Sequence, residues 1–385
     1  MGFLEINQIS VVLAVCTAMA VLFANLKQPT ILGYIMTGVF LGPFALNCIR
    51  SADAVKAIGE YGILIMLFTV GLKLNVHEFR KVWKTAITTL VIQTIFGSLI
   101  GLALGGIFGL DNLTISLIMC MIILSSTAIA VKLLENANEI NTQLGSVVIS
   151  ILIAQDLALV PMVMMMKSFI FNQNLFSLII KISISILSIT GTVIFLSKKN
   201  LDFLYRFFNS WVFKISEINS LISITACFVS AALAEYLGLS GVYGAFLCGF
   251  ILGNIGPKSS LLAFSAPLSG TLMMSFFIYI GMLFNVRFIM NNILYIFLLV
   301  ICLTIVKFFI NIISLKILGW KKRIAVESSL LLTQVSEFAF VLINIYALGN
   351  NTNPNFINLI ISTTVISLSV GALFIVSIKN IIDKS

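Results

Sequence analysis

Ile149-Ser150-Ile151-Leu152-Ile153-Ala154-Gln155-Asp156-Leu157-Ala158-Leu159-Val160-Pro161 is the stretch that decides how this chain is read. An aspartate stands near the middle of an apolar run reaching from about Leu144 to Met166. At ~1.5 Å per residue, a helix of that length crosses a bilayer. A carboxylate at that depth costs at least ~2.5–3.5 kcal/mol on insertion scales, so by default it marks an ion or proton pathway. The remainder of the chain is read as the housing of Asp156.

Composition sets the class. Of 385 residues, 60% are hydrophobic and 10% charged, against ~25% charged in a soluble domain. The chain is therefore an all-α polytopic membrane protein with no polar block large enough to fold separately in water. Its net charge of +9 is assigned to cytoplasmic loops rather than to nucleic-acid binding. The cysteines (Cys16, Cys48, Cys120, Cys227, Cys248, Cys302) lie singly in or beside apolar segments, without metal-ligand or disulfide spacing, and are expected to be small buried hydrophobes. His77 is the only histidine, and no phosphate-binding glycine loop follows a strand. An enzyme, a cofactor site, a metal cluster and an ATP-driven pump are not expected. No basic region precedes the first apolar run, so a cleaved signal peptide is not expected either.

Hydropathy and helix breakers predict about thirteen spans: 6–25, 30–47, 55–72, 83–108, 113–134, 143–166, 175–196, 218–237, 241–254, 267–284, 288–317, 323–348 and 356–378. With the N-terminus outside, seventeen Lys and Arg fall in inward loops and the C-terminal tail, from Lys27 to Lys384. Only Arg50, Lys56, Lys167 and Arg287 fall in outward loops. That imbalance predicts an N-out, C-in topology.

An internal repeat runs through these spans. Thr69-Val70-Gly71-Leu72-Lys73-Leu74-Asn75-Val76 echoes Tyr279-Ile280-Gly281-Met282-Leu283-Phe284-Asn285-Val286 at an offset of 210. Gly38-Val39-Phe40-Leu41-Gly42 echoes Gly249-Phe250-Ile251-Leu252-Gly253 at 211, and Ser126 falls opposite Ser336 at 210. Six spans, a linking span and six more put the copies in opposite orientations, the inverted-repeat plan of secondary transporters. Residues 1–385 are then one transport domain: 1–170 the first repeat, 171–217 a linking helix and cytoplasmic loop with an amphipathic piece, 218–385 the second repeat. Broken helices are expected in the fifth and twelfth spans. These contain Ser125-Ser126-Thr127 and Thr333-Gln334-Val335-Ser336-Glu337, whose hydroxyls and amides can serve freed backbone groups or a cation.

Four ionisable residues lie well inside apolar spans: Asp156, Lys181, Lys307 and Glu337. Burial favours the protonated form of a carboxylate and a nearby cation the ionised form, so Asp156 can trade a proton for a metal cation. Lys307 needs a counter-charge, for which Asp156 is the natural partner and Glu337 the alternative. Glu337 holds the unwound backbone or binds the ion. Lys181 snorkels to the outer surface, and Lys132 caps the fifth span near the inner one. Gln155, Ser125, Ser126, Thr127 and Ser336 offer neutral oxygens beside Asp156, the ligand type a hard cation prefers.

Several of these motifs resemble the Kef-type members of the second monovalent cation:proton antiporter family, within the sodium/hydrogen exchanger superfamily. They are Pro29-Thr30-Ile31-Leu32-Gly33-Tyr34, Gly38-Val39-Phe40-Leu41-Gly42-Pro43, Ser125-Ser126-Thr127-Ala128, Gln155-Asp156-Leu157-Ala158-Leu159-Val160-Pro161, Phe277-Ile278-Tyr279-Ile280-Gly281-Met282 and Gln334-Val335-Ser336-Glu337-Phe338-Ala339-Phe340-Val341. They occur in family order over nearly the whole chain. The resemblance implies a thirteen-span antiporter of a bacterial inner membrane. It implies a homodimer with a dimerisation domain and a mobile core domain that moves like an elevator. In that core, two crossing broken helices flank the essential aspartate, Asp156, partnered by Lys307. Asp156 binds cation or proton in turn, and the Gln155-Asp156 pair is the Kef-like version, which favours K⁺ over Na⁺. Two departures limit the carry-over. Lys73 stands where family members often have an acidic residue. The chain ends at Ser385, shortly after its last span, so no C-terminal regulatory domain is expected and regulation would fall to a separate subunit. Two competing readings are a channel-like potassium conductance, disfavoured because no Gly-Tyr-Gly filter loop is present, and a non-transporting membrane subunit.

Overall fold

The structure, a computed structural model, describes residues 6–26, 28–43, 45–49, 52–73, 76–140, 142–171, 175–196, 216–256, 258–349 and 352–382. Fifteen helices lie among them. Hydrocarbon offers no water to backbone groups, and a helix satisfies them within its own segment. The first eight are α1 (Ile6–Asn25), α2 (Thr30–Leu41), α3 (Ala52–Lys73), α4 (Val76–Phe108), α5 (Asn112–Ile123), α6 (Thr127–Asn136), α7 (Gln143–Ile170) and α8 (Leu175–Leu196). They are followed by α9 (Ser216–Tyr236), α10 (Gly241–Ile255), α11 (Lys258–Met282), α12 (Val286–Ile317), α13 (Lys322–Leu331), α14 (Phe338–Tyr346) and α15 (Pro354–Ile382). The linking loop expected before α9 lies mostly outside the described residues.

Two expected spans are each divided: α5 and α6 fill the fifth, α13 and α14 the twelfth. Counting each broken pair once leaves the thirteen apolar units that hydropathy predicts. The tenth span differs. It was expected to start at Pro267, yet α11 runs through that proline from Lys258. Proline removes one intrahelical hydrogen bond, and membrane helices tolerate it where side chains serve the freed carbonyls. The carbonyl it frees is that of Ala263; nearby, Thr69 Oγ1 donates to Ser265 O at 3.4 Å and Thr271 Oγ1 to Pro267 O at 3.0 Å. Among the cysteines, Cys16, Cys120 and Cys227 are buried as expected, whereas Cys48 and Cys302 are exposed.

The helices form two compact units. One holds α3, α8, α9, α10 and most of α11; its core joins Ile65, Phe68 and Leu72 to Cys227, Ala231, Ala245, Leu252 and Leu261. The other holds α2, α5–α7, α12–α15 and most of α1 and α4, with a core of Ala130, Leu134, Val147, Val148, Ile151, Leu152, Leu315 and Ala325. Their exteriors carry large exposed apolar side chains such as Val21, Leu99, Leu187, Leu233 and Leu298, the surface that acyl chains cover.

The repeated glycines explain how each unit closes. In the first, α3 and α10 touch backbone to backbone. A Cβ on Gly71 would sit 2.4 Å from Phe246 O, one on Gly249 2.0 Å from Phe68 O, and one on Gly253 2.3 Å from Leu72 O. In the second unit, the end of α11 meets α2 in the same way, with a Cβ on Gly281 falling 2.0 Å from Ile35 O and 2.9 Å from the Gly38 Cα. Gly71 and Gly281 are repeat mates, as are Gly38 and Gly249. Each contact therefore joins a glycine of one repeat to the glycine-rich helix of the other. Gly249→Val is expected to force α3 and α10 apart. It should destabilise the purified protein by about 1–3 kcal/mol or more, read as a lowered midpoint of thermal unfolding in detergent.

Candidate functional site

The site lies wholly in the second unit, at the two breaks. α5 stops at Ile123, and Leu124 (φ −76°, ψ 135°) and Ser126 (φ −72°, ψ 110°) are extended before α6 begins at Thr127. α13 stops at Leu331 and α14 starts at Phe338. The two unwound segments meet in an antiparallel bridge between Ser125 and Val335. The sequence breaks here because its hydroxyls replace the lost backbone bonds. Ser126, the N-cap of α6, accepts from Ile129 N–H at 3.4 Å, and Ser336 accepts from Phe338 N–H at 3.2 Å. Ser125 Oγ donates to Leu332 O at 2.7 Å, and Ser367 of α15 accepts from Val335 N–H at 3.1 Å. A group left unpaired here would cost about 1–3 kcal/mol.

Four helix ends now point into the membrane interior, and the charges match them. A helix C-terminus carries partial negative charge and an N-terminus partial positive charge. Lys307, 1% exposed on α12, donates to Met121 O at 3.4 Å, Ile122 O at 3.1 Å and Leu124 O at 2.5 Å, the carbonyl end of α5. Glu337, 7% exposed at the head of α14, accepts from Ser126 Oγ at 2.8 Å, at the head of α6. Asp156 of α7, 5% exposed, accepts from Thr127 Oγ1, the first residue of α6, at 3.3 and 3.4 Å. The charge of Lys307 is thus met first by the dipole end of α5, and those of Glu337 and Asp156 by hydroxyls at the head of α6.

Gln155 is fully buried and works on the backbone. Its Oε1 accepts from Ser125 N–H at 2.9 Å and its Nε2 donates to Gln93 Oε1 at 3.1 Å. Gln93 of α4 in turn donates from Nε2 to Asn311 Oδ1 of α12 at 2.6 Å. Gln334, beside the bridge and 2% exposed, has an Oε1 that meets no donor among the described residues.

All the candidate ligands and counter-charges expected from the sequence stand at this crossing. Ser125, Ser126, Ser336 and Gln155 each spend a bond on the broken backbone, while Thr127 faces Asp156. Lys181 belongs to the other unit, and the side chains of His77 and Lys132 lie outside the described residues. Sequence reasoning passed over Gln93, Asn311 and Ser367. The available signals were a lone amide in mid-span, and a position four residues after Lys307, one turn along the same face of α12.

Antiparallel broken helices with a buried carboxylate against their ends define a secondary ion transporter. Residues 10–378 match the family described as "Sodium/hydrogen exchanger, transmembrane", and the chain belongs to that family. It is 33% identical over 360 residues to "Iron transporter MagA" of Paramagnetospirillum magneticum (strain ATCC 700264 / AMB-1), covering 93% of this chain and 82% of that one. It is 28% identical over 371 residues to "K(+) efflux antiporter 5" of Arabidopsis thaliana, covering 94% and 64%. With the "Glutathione-regulated potassium-efflux system protein KefC" of Escherichia coli (strain K12) it shares 26% identity over 364 residues, covering 92% and 57%. The chain therefore spans less than two thirds of the length of these two potassium-efflux relatives. In fold it is similar to the sodium proton antiporter MjNhaP1 from Methanocaldococcus jannaschii at pH 8, with a TM-score of 0.69 at 14% identity over 96% of this chain and 95% of that one.

Proposed function

We propose that this protein exchanges a monovalent cation, K⁺ in preference to Na⁺, for protons by alternating access, with Asp156 taking the cation or the proton in turn. One observation carries the reading: a nearly buried carboxylate of a membrane-spanning helix lies against the head of a second, broken helix, with the Thr127 hydroxyl facing it. A carboxylate can hold a proton or face a bound cation, so either species satisfies the same group. Thr127 and the uncommitted Gln334 oxygen act as neutral ligands, with the second lone pairs of Ser125, Ser126, Gln155 and Ser336 completing the oxygen shell. Lys307 and Glu337 supply the fixed charges that hold the half-helices. The preference for K⁺ rests on the Kef-like Gln155-Asp156 pair and on the potassium-efflux names of two relatives.

The iron named in one relative finds less support. The described residues contain no group of three or more His, Cys, Asp or Glu side chains that could hold a metal ion, whereas a single carboxylate with neutral oxygens suits a monovalent charge. The same proposal includes a bacterial inner-membrane location with N-terminus outside and C-terminus inside, a homodimer, a separate regulatory subunit, and two repeats over 1–170 and 218–385 joined by 171–217.

Everted membrane vesicles test it. With a respiration-driven pH gradient in place, added K⁺ is expected to dissipate the gradient in saturable fashion, Na⁺ less effectively. Channel-sized unitary currents without proton movement would overturn the antiport reading in favour of a conductance. Absence of any cation-dependent flux or thermal stabilisation in folded protein would favour the non-transporting subunit.

A further inference from the structure

The Leu124–Ser125 peptide group, where α5 gives way to extended chain, is gripped at both its polar ends from one face of α12. Lys307 Nζ donates to its carbonyl oxygen at 2.5 Å. Its N–H donates to Gln155, which donates to Gln93, which donates to Asn311. Lys307 and Asn311 are four residues apart, one turn of the same helix. The direction of the chain of amides is dictated at one end. A backbone N–H can only donate, so Gln155 must present its oxygen to it. That leaves the Gln155 NH₂ for Gln93 Oε1 and the Gln93 NH₂ for Asn311 Oδ1. Gln93 and Asn311 are both 2% exposed, so water does not readily substitute for either.

We propose that Gln93 and Asn311 are positioning residues of the ion site. They hold Gln155 in the one orientation that fixes the Leu124–Ser125 peptide plane, and that plane sets the exit of Ser126 and Thr127 toward Asp156. The inference rests on Asp156 being the exchange site. It assigns Gln93 and Asn311 no contact with the ion and no proton to carry: both are neutral amides, and their effect is on the shape of the cation's oxygen shell.

The test uses purified protein in proteoliposomes, with K⁺ and Na⁺ each as the driving cation and internal pH as the readout, so that KM, maximal rate and the pH dependence of KM are obtained together. Gln93→Met keeps the length of the side chain and removes both bonds. It is expected to raise the KM for the transported cation by about tenfold, the worth of one good hydrogen bond, with maximal rate changed less than KM. Gln93→Glu is the rescue: its neutral carboxyl accepts from the Gln155 NH₂ and donates to Asn311 Oδ1, so KM returns close to the wild-type value. A packing role alone would lower thermal stability in Gln93→Met while leaving the KM of the surviving protein unchanged. Should Gln93→Met fail to fold, Asn311→Ala removes the terminal acceptor and is expected to raise KM in the same direction, by about threefold. Unchanged KM and pH profile in a folded variant, with Asp156→Asn inactive, would overturn the relay and leave the exchange site standing. Wild-type exchange in Asp156→Asn would overturn the site itself.

Discussion

Lys307→Glu is expected to lower the thermal unfolding midpoint of the detergent-purified protein by about 3–7 °C or more. Lys307 now supplies the donors for three carbonyls at the end of α5. An ionised carboxylate has no proton to donate and would face the negative end of that helix; a neutral carboxyl could donate only once. At least two buried carbonyls would then go unserved, at about 1–3 kcal/mol each, before any repulsion is counted. Lys307→Met should fall between wild type and Lys307→Glu. It leaves the carbonyls unserved but also removes a charge whose burial costs several kcal/mol, by rough estimate. Equal midpoints for wild type and Lys307→Glu would show that the ammonium does not hold the break.

Asp156→Asn is expected to reduce cation-driven proton movement to background, a loss of at least about 100-fold, corresponding to about 2.7 kcal/mol or more in the transport barrier. Asparagine matches aspartate in shape and keeps an oxygen to accept from Thr127 Oγ1, which now lies 3.3 and 3.4 Å from the carboxylate oxygens. The fold should therefore survive, with stability unchanged or raised, since a buried charge has been removed. Only the capacity to alternate between charged and neutral forms is lost. Vesicles containing equal amounts of each protein, loaded with a pH-sensitive dye and challenged with K⁺ or Na⁺, provide the comparison. Retained exchange in Asp156→Asn would move the site elsewhere.

The fold was legible where side-chain chemistry leaves a mark in the sequence. A lone carboxylate inside an apolar run placed Asp156, and hydroxyl-rich triplets at matched repeat positions located both breaks. The glycine motifs revealed the repeat but not its use. That each glycine meets the opposite repeat's helix, Gly249 on Phe68 and Gly281 on Ile35, depends on a long-range contact that no local pattern encodes. That the named residues gather at the crossing was legible, their wiring less so. The carbonyl partners of Lys307 were hidden because a sequence displays side-chain charges, whereas the carbonyl end of a broken helix is a backbone charge that exists only once the break has formed. The bond from Ser125 N–H to Gln155 was hidden for the same reason, since that N–H is freed only by the unwinding of α5. Pro267 reads as a helix start, yet α11 runs through it from Lys258.

If one carboxylate takes either a proton or a cation, the two compete, and competition has a defined signature. The most direct measurement is the apparent KM for K⁺ and for Na⁺ in proteoliposomes across a pH series, with maximal rate extrapolated to saturating cation at each pH. On the acid side the KM is expected to rise by about tenfold per pH unit, the slope of one proton displaced per cation, then to level off on the alkaline side. The maximal rate at saturating cation should stay constant throughout. A KM that is independent of pH while the maximal rate alone falls with acidification would contradict a shared site at Asp156.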